Sequence, residues 1–501
     1  MKIFFSFLGG RFKCGKPWDR YGVAYALPDC SDVHGPQGSA APFQNFLNYG
    51  TPEMPQPTDG WPTLSNWNRT TVGHSHEGLY WKWVERAWLN GERLMVMPVN
   101  ENRVLCQLQA SRSESCDEMT TVRRAVRDLR TLERYVDAQA GGPGKGFFEI
   151  VTDPLQARRV INQGRLAVVM EIEISELFGC RGYEEVPTTP CSRADVERGV
   201  DEMFDIGIRS MLLLNKFDTP LAGVRFDSGP IGLALINNGN KASSGSFWSA
   251  RTCEPGELRD NTIETGNPLT GELNDALGLM GVAPGAAPTY PPGPHCNTRG
   301  LTQLGAAVVN RMMDKGMIVN PDHMSQRAVD ETIRIAETRK YSGVISPHGW
   351  MDPGNFPRIW ALGGVAFLGG GTVDGHIERW KEYRPKSTPF PIGWGLGTDI
   401  GGLFAQAGPS SKAKDVTYPF TSLDGKVKFD KLTVGKRTFD YTQEGIANYG
   451  MYADWGEDLR RQAPAAVLRD FQESSEAYLG MWERSVGVPG PACRSSRATL
   501  T

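Results

Sequence analysis

At 501 residues, with 57 acidic against 54 basic side chains and a formal net charge of −3, the chain has no single-sign run and no basic stripe. This excludes nucleic acid as a partner and favours a small-molecule or peptide substrate. No apolar run approaches the roughly 18 residues of a membrane span, so no transmembrane segment is expected, and the length suits two domains or one β/α barrel of about 250 residues enlarged by insertions.

The opening MKIFFSFLGG has a lysine and a short apolar stretch but lacks a cleavage site, and reads as part of the fold rather than as a signal peptide. Residues 1–140 read as an irregular, aromatic-rich part packed on the remainder of the chain. Near its centre Trp81, Trp83, Val84 and Trp88 share one helix face, which predicts buried packing. Asn68-Arg69-Thr70 has the pattern of a glycosylation sequon.

From Gly141 the pattern becomes regular. Strand-like runs (FFEIV, RLAVVMEIEI, IRSMLLL, GMIVN, YSGVIS, GVAFLGG, IGWGLG) alternate with helical segments at Leu155 to Asn162, Arg193 to Phe204, Leu301 to Asp314 and Gln326 to Lys340. That rhythm predicts a parallel sheet with crossover helices over residues 141–484, and no glycine-rich nucleotide fingerprint follows a strand. Two stretches interrupt it. Residues 222–298, rich in Gly, Pro, Asn and Ser, predict a long loop insertion of the kind that covers active sites. Residues 411–442 alternate around Asp424-Gly425, a hairpin signal. Residues 485–501 read as a flexible tail.

Candidate chemistry gathers at strand ends. His323 in IVNPDHMS and His348 in VISPHGW each stand where an apolar run gives way to a loop, the place where β/α barrels assemble their sites. A hydrolytic metal centre also needs carboxylates. Glu171 and Glu173 share one face of the LAVVMEIEI run, and Glu173 is nearer its C-terminal end; Asp399 closes IGWGLGTD ahead of two glycines. Arg358 suits either a bidentate clamp on a substrate carboxylate or a surface ion pair. His34 and His295 read as structural or solvent-facing, and His376 as part of a helix or loop beyond the barrel.

The nine cysteines lack metal-type CxxC spacing. Paired as neighbours (Cys14 with Cys30, Cys106 with Cys116, Cys180 with Cys191, Cys253 with Cys296, leaving Cys493), they would form loop staples and imply an extracellular or cell-envelope location; the alternative is nine unrelated reduced thiols, since sequence does not fix connectivity. The Cys180–Cys191 bond is expected to close FGCRGYEEVPTTPC beside the Glu173 run.

From residue 147 to 484 the order of blocks AVVMEIEIS, DIGIRSMLLLNKFDTPLAG, GLTQLGAAVVNRMMDKGMIVNPDHMS, SPHGW, GGVAFLGGG and GLGTDIGGL resembles the membrane (renal-type) dipeptidases of the amidohydrolase superfamily. The resemblance implies that Glu173 stands for the metal-bridging glutamate, His323 and His348 for the paired ligands of one zinc, and Asp399 for the late-strand aspartate. Two departures accompany it. The family's first strand ends in His-x-Asp or His-x-His; His74-Ser75-His76 has that spacing but follows no strand-like run, so His76 is expected beside the pocket and the chain is expected to begin past the first strand. Asn215 stands where the dipeptidases place a substrate-polarising histidine.

These readings give a metal-dependent hydrolase on a distorted (β/α)8 barrel with long loop insertions and a small β-hairpin excursion. Glu173, His323, His348 and Asp399 form the metal site for one or two Zn2+ ions, one being favoured, and Asp399 takes the proton from the attacking water. Asn215, Arg358 and His76 face the substrate. The expected reaction is cleavage of an amide bond in a dipeptide-like substrate, with a lactone or ester next. The alternative is a catalytically impaired barrel that binds a ligand, and either form is compatible with a homo-oligomer.

Overall fold

The computed structural model describes residues 17–36, 39, 60–64, 80–107, 115–183, 186–189, 191–229, 232–263, 288–368, 370–398 and 406–488. Its centre is a row of parallel strands: β1 (Leu94–Glu101), β2 (Phe148–Ile150), β3 (Leu166–Ile174), β4 (Ile208–Met211), β5 (Ile318–Val319), β6 (Ile345–Ser346) and β7 (Val365–Ala366). All nine residues of β3 are buried. A run that is apolar on both faces belongs inside a parallel sheet covered by helices, and β3 is the axis of this one.

Apart from β2, the row proceeds in chain order. β1 pairs with β3 from Leu94↔Ala167 to Glu101↔Ile174, while β2 and then β4 pair along the opposite edge of β3. β4 pairs with β5, the Val319↔Val344 bridge continues the row to β6, and β6 pairs with β7. The row curls on itself: Leu94 and Val96 of β1, Glu171 of β3, Ile345 of β6, Val365 of β7, Phe367 just past it and Gly395–Gly397 line one cavity of about 100 Å3. The result is a distorted β/α barrel, its interior filled by side chains as in barrels of this kind.

Crossover helices form where the sequence supplies starts. Pro154–Asn162 is capped by Asp153, Arg193–Asp205 by a Ser192/Asp195 capping box, Gln303–Asp314 by Thr302 and Gln326–Arg339 by Ser325. Each cap satisfies a backbone N–H that the first turn leaves without a helical partner. Helix Trp81–Leu89 buries Trp81, Trp83 and Val84, as its periodicity predicts, while Trp88 of the same predicted face is only partly buried.

The predicted insertion is present. It holds helix Asn237–Ser244 and an antiparallel pair of Ala250–Thr252 with His295–Asn297, while residues 264–287 lie outside the described residues. The hairpin excursion is present as Phe420–Thr421 against Lys428–Phe429, followed by Thr433–Val434 against Arg437–Thr438. Among the described residues no helix is long and apolar enough to cross a membrane.

Three sequence expectations are corrected. Residues 1–140 are not merely packed on the barrel, because β1 lies within them and pairs with β3 along its length. The chain does not begin past the first strand: β1 precedes the Glu173 strand in the row and ends in Asn100-Glu101, with Asn102 next in the chain. The run IGWGLG forms no ladder; Trp394 N–H instead donates to the Asp470 carbonyl at 2.9 Å. Of the tail, residues 489–501 lie outside the described residues.

Candidate metal centre

Glu173 is the penultimate residue of β3 and is buried. Side chains alternate along a strand, so Glu171 shares its face one step deeper, where Oε1 accepts from Ser210 Oγ at 2.7 Å and Asn320 Nδ2 at 3.0 Å. Asn100 is the in-register neighbour of Glu173 on β1.

His323 follows β5 through Asn320-Pro321-Asp322 and takes a left-handed backbone with φ 71°. That conformation is uncommon outside glycine and persists only where the surroundings impose it. Here its N–H donates to the Trp350 carbonyl at 3.1 Å and its carbonyl accepts from Arg225 N–H at 2.7 Å, so the loop after β6 and the start of the insertion both hold the turn. The Trp350 ring stacks on the imidazole at 5.3 Å between centroids.

His348 follows β6, and its ring meets that of His323. Glu173 Oε1 lies 3.0 Å from His323 Nε2, and His323 Nε2 lies 2.9 Å from His348 Nε2. Behind His348 stands the buried Asp322, whose Oδ2 is 2.9 Å from His348 Nδ1 and whose Oδ1 accepts from Ser346 Oγ at 2.7 Å. A carboxylate at Nδ1 fixes the proton there and leaves Nε2 as a lone pair.

The electrostatics agree with ligand roles. Burial pushes the His323 pKa down to about 4 against the opposing pull of Glu173, so its ring is neutral at pH 7. Burial pushes the Asp322 carboxyl up, but the charge of His348 and the hydrogen bonds from His348 and Ser346 outweigh it and hold the group below its ordinary value.

The donor set fits a divalent cation. The ligand atoms of Glu173, His323 and His348 all lie within 4.8 Å of one another. Two imidazole nitrogens this close repel as bare lone pairs and need a proton or a cation between them. Two nitrogens and one carboxylate oxygen, with one imidazole backed by a carboxylate, are what zinc-type sites use. One feature departs from the pattern: His323 Nδ1 is buried with no hydrogen-bond partner.

Other candidates fall elsewhere. Asp399 and His76 lie outside the described residues. Asn215 is buried just past β4, with its Oδ1 unpartnered. The structure does not bring Arg358 to the cluster. Its guanidinium is taken up by Asp330 at 2.6 Å and Glu337 at 2.7 Å, so of its two sequence readings the ion pair is the one present. His295 is structural, accepting from Ile263 N–H at Nδ1 (3.0 Å) and meeting the Pro291 carbonyl at Nε2 (2.7 Å). His376 is fully buried on helix Val373–Tyr383 among Trp394, Trp455 and Phe471.

The disulfides Cys106–Cys116, Cys180–Cys191 and Cys253–Cys296 are present, and Cys14 and Cys493 lie outside the described residues. The three bonds are consistent with an extracellular protein. Sequence reasoning missed Asp322 and Trp350. The only linear signal for Asp322 is a carboxylate directly preceding a candidate ligand.

The fold and this cluster define a β/α-barrel protein with a candidate metal centre; a second cluster, Cys253, Glu257 and Cys296, has its two sulfurs tied up in a disulfide. No family model and no curated protein matches the chain. Among solved structures the chain is similar to an amidohydrolase from Pseudomonas aeruginosa, at 12% identity and a TM-score of 0.40 over 84% of this chain and 94% of that one. It is similar to dipeptidase AC, a metallopeptidase of family M19, at 12% identity and 0.39 over 82% and 89%. It is also similar to a metallopeptidase from Rhodobacter sphaeroides solved with a phosphinate mimic of L-Ala-D-Ala, at 12% and 0.38 over 85% and 92%. At this identity the likeness concerns chain path alone, and the reading of the site rests on its own geometry.

Proposed function

We propose that the protein is a metal-dependent hydrolase whose centre is held by Glu173, His323 and His348. The observation that carries the reading is the convergence of two imidazole nitrogens and one carboxylate oxygen, brought in by three different strands and the loops after them, at 2.9 and 3.0 Å. A divalent ion, Zn2+ by donor type, would polarise a carbonyl and lower the pKa of a bound water to about 7.

The chain's own residues do the rest. Asp322 holds His348 in the tautomer that presents Nε2, and the Trp350 ring excludes water from one face of His323. Asn215 is the proposed donor, from its amide, to the carbonyl oxygen of a bound substrate, a hydrogen bond without the charge a histidinium would add. Asp399 is the proposed acceptor of the proton from the attacking water. The preferred substrate is a dipeptide-like amide, followed by lactones and esters. The protein would work outside the cytoplasm, where its disulfides persist.

A second reading, a barrel that binds a ligand without turning it over, is favoured by one observation: β1 ends in Asn100-Glu101, followed by Asn102, and supplies no histidine. Metal content per chain after purification without chelator, with turnover of a panel of dipeptides, lactones and esters, tests both. The hydrolase reading expects one ion per chain and activity that His348→Ala abolishes. Full metal and wild-type turnover in His348→Ala overturn it, and tightly bound metal with no turnover on the panel favours the second reading.

A further inference from the structure

We propose that Asn100 is a fourth protein ligand of the centre, donating its side-chain carbonyl oxygen. This inference rests on the three-ligand site proposed above and adds the group that completes it.

β1 and β3 run parallel, with Asn100 directly opposite Glu173. Opposite residues on parallel strands about 4.8 Å apart project to the same face, so the Asn100 amide shares the space into which Glu173 extends. Asn100 is 1% exposed, and its Oδ1 is buried without a hydrogen-bond partner. Its neighbours are committed differently. Glu101 accepts from Asn102 N–H at 2.9 Å and from Thr121 Oγ1 at 3.2 Å, and Asn102 Nδ2 donates to Ser175 Oγ at 3.0 Å. Of the three polar residues that close the strand, Asn100 is the one that shares the Glu173 face and keeps an acceptor open.

An unpaired acceptor removed from water destabilises a fold, and the sequence could have avoided it with an apolar residue. A cation held between Glu173 and the two imidazoles removes that penalty, because an amide oxygen is a competent ligand for a divalent ion. Asn100 thereby turns a two-nitrogen, one-oxygen set into a two-nitrogen, two-oxygen set without adding charge. The centre then carries a single protein anion, Glu173, among its described ligands. Two divalent cations held about 3.5–4 Å apart would face little compensating charge, which favours one ion over two.

The test uses the full chain stripped of metal and titrated with Zn2+ by calorimetry and with Co2+ by its visible absorption, which reports coordination number and donor type. The wild type is expected to bind one ion. Asn100→Ala is expected to keep that stoichiometry but to bind about tenfold or more weakly, with a changed Co2+ spectrum. Asn100→Asp is expected to bind more tightly than the wild type, since it adds an anion at the same oxygen. Wild-type affinity and an unchanged Co2+ spectrum in Asn100→Ala, while His348→Ala loses the ion, overturn the Asn100 assignment and leave the three-ligand centre standing. Failure of the folded wild type to bind either ion overturns both.

Discussion

Asp322 Oδ2 lies 2.9 Å from Nδ1 of His348, and the Asp322 backbone belongs to the turn that carries His323, so one buried residue connects the two histidine loops. Removing its charge while keeping its shape separates orientation from packing. Asp322→Asn is expected to lower metal affinity about 10- to 100-fold with little change in folded fraction, because the neutral amide has one acceptor oxygen where the carboxylate has two and lacks the charge that fixes the His348 tautomer. Metal titration of wild type and variant at matched folded fraction checks this, and equal affinities would remove Asp322 from the account.

Gly397 presses its backbone against the His348 loop: a Cβ placed there would stand 1.6 Å from the Pro347 carbonyl oxygen. Backbone cannot yield as a flexible side chain can. Gly397→Ala is expected to displace Pro347 and His348, to cost about 1–3 kcal/mol of stability and to weaken metal binding together with it. Thermal unfolding and metal content of the same preparation measure both effects; a stable variant that keeps full metal would show that the loop tolerates the shift.

His376 gives the fold an acid sensitivity unrelated to the metal centre. Burial pushes its pKa down to about 3, and neither ring nitrogen has a hydrogen-bond partner. A histidine depressed in the folded state contributes stability above its unfolded value near 6.5, lost as pH falls from there toward the folded value, because the unfolded chain takes up the proton first. Between pH 7.5 and pH 5 this amounts to about 2 kcal/mol. His376→Phe, apolar and near in size, is expected to show a smaller loss over that interval in urea titrations. An identical pH dependence in the two proteins would assign the acid limb to other groups.

The Cys180–Cys191 bond staples the loop that leaves β3 just after Glu173. In the chain-entropy account, closing a loop this short stabilises by roughly 3 kcal/mol through the unfolded state. Replacing both cysteines by alanine is expected to lower the denaturation midpoint accordingly. Thiol counting of the denatured, non-reduced wild type is expected to leave the Cys106, Cys116, Cys180, Cys191, Cys253 and Cys296 thiols unreactive; finding them free would remove the argument for an oxidising location.

Local chemistry made much of this molecule legible in the sequence. The β3 run, the capped helices after it and the two histidines at strand ends follow from side-chain periodicity and helix-start residues, which act within a few positions of the chain. The same locality hid β1. LMVMPVNE carries a proline, which cannot donate to a ladder, and ends in polar residues, yet Pro98 is accommodated opposite Glu171 and the strand holds. Partnership at a distance was decided only by the fold. Arg358 faced a free choice in sequence between a substrate and an ion pair, settled by helix Gln326–Arg339 presenting Asp330 and Glu337 to it. Asp322 reaches His348, 26 residues on, because parallel strands side by side bring their C-terminal loops together, a proximity that no local pattern encodes.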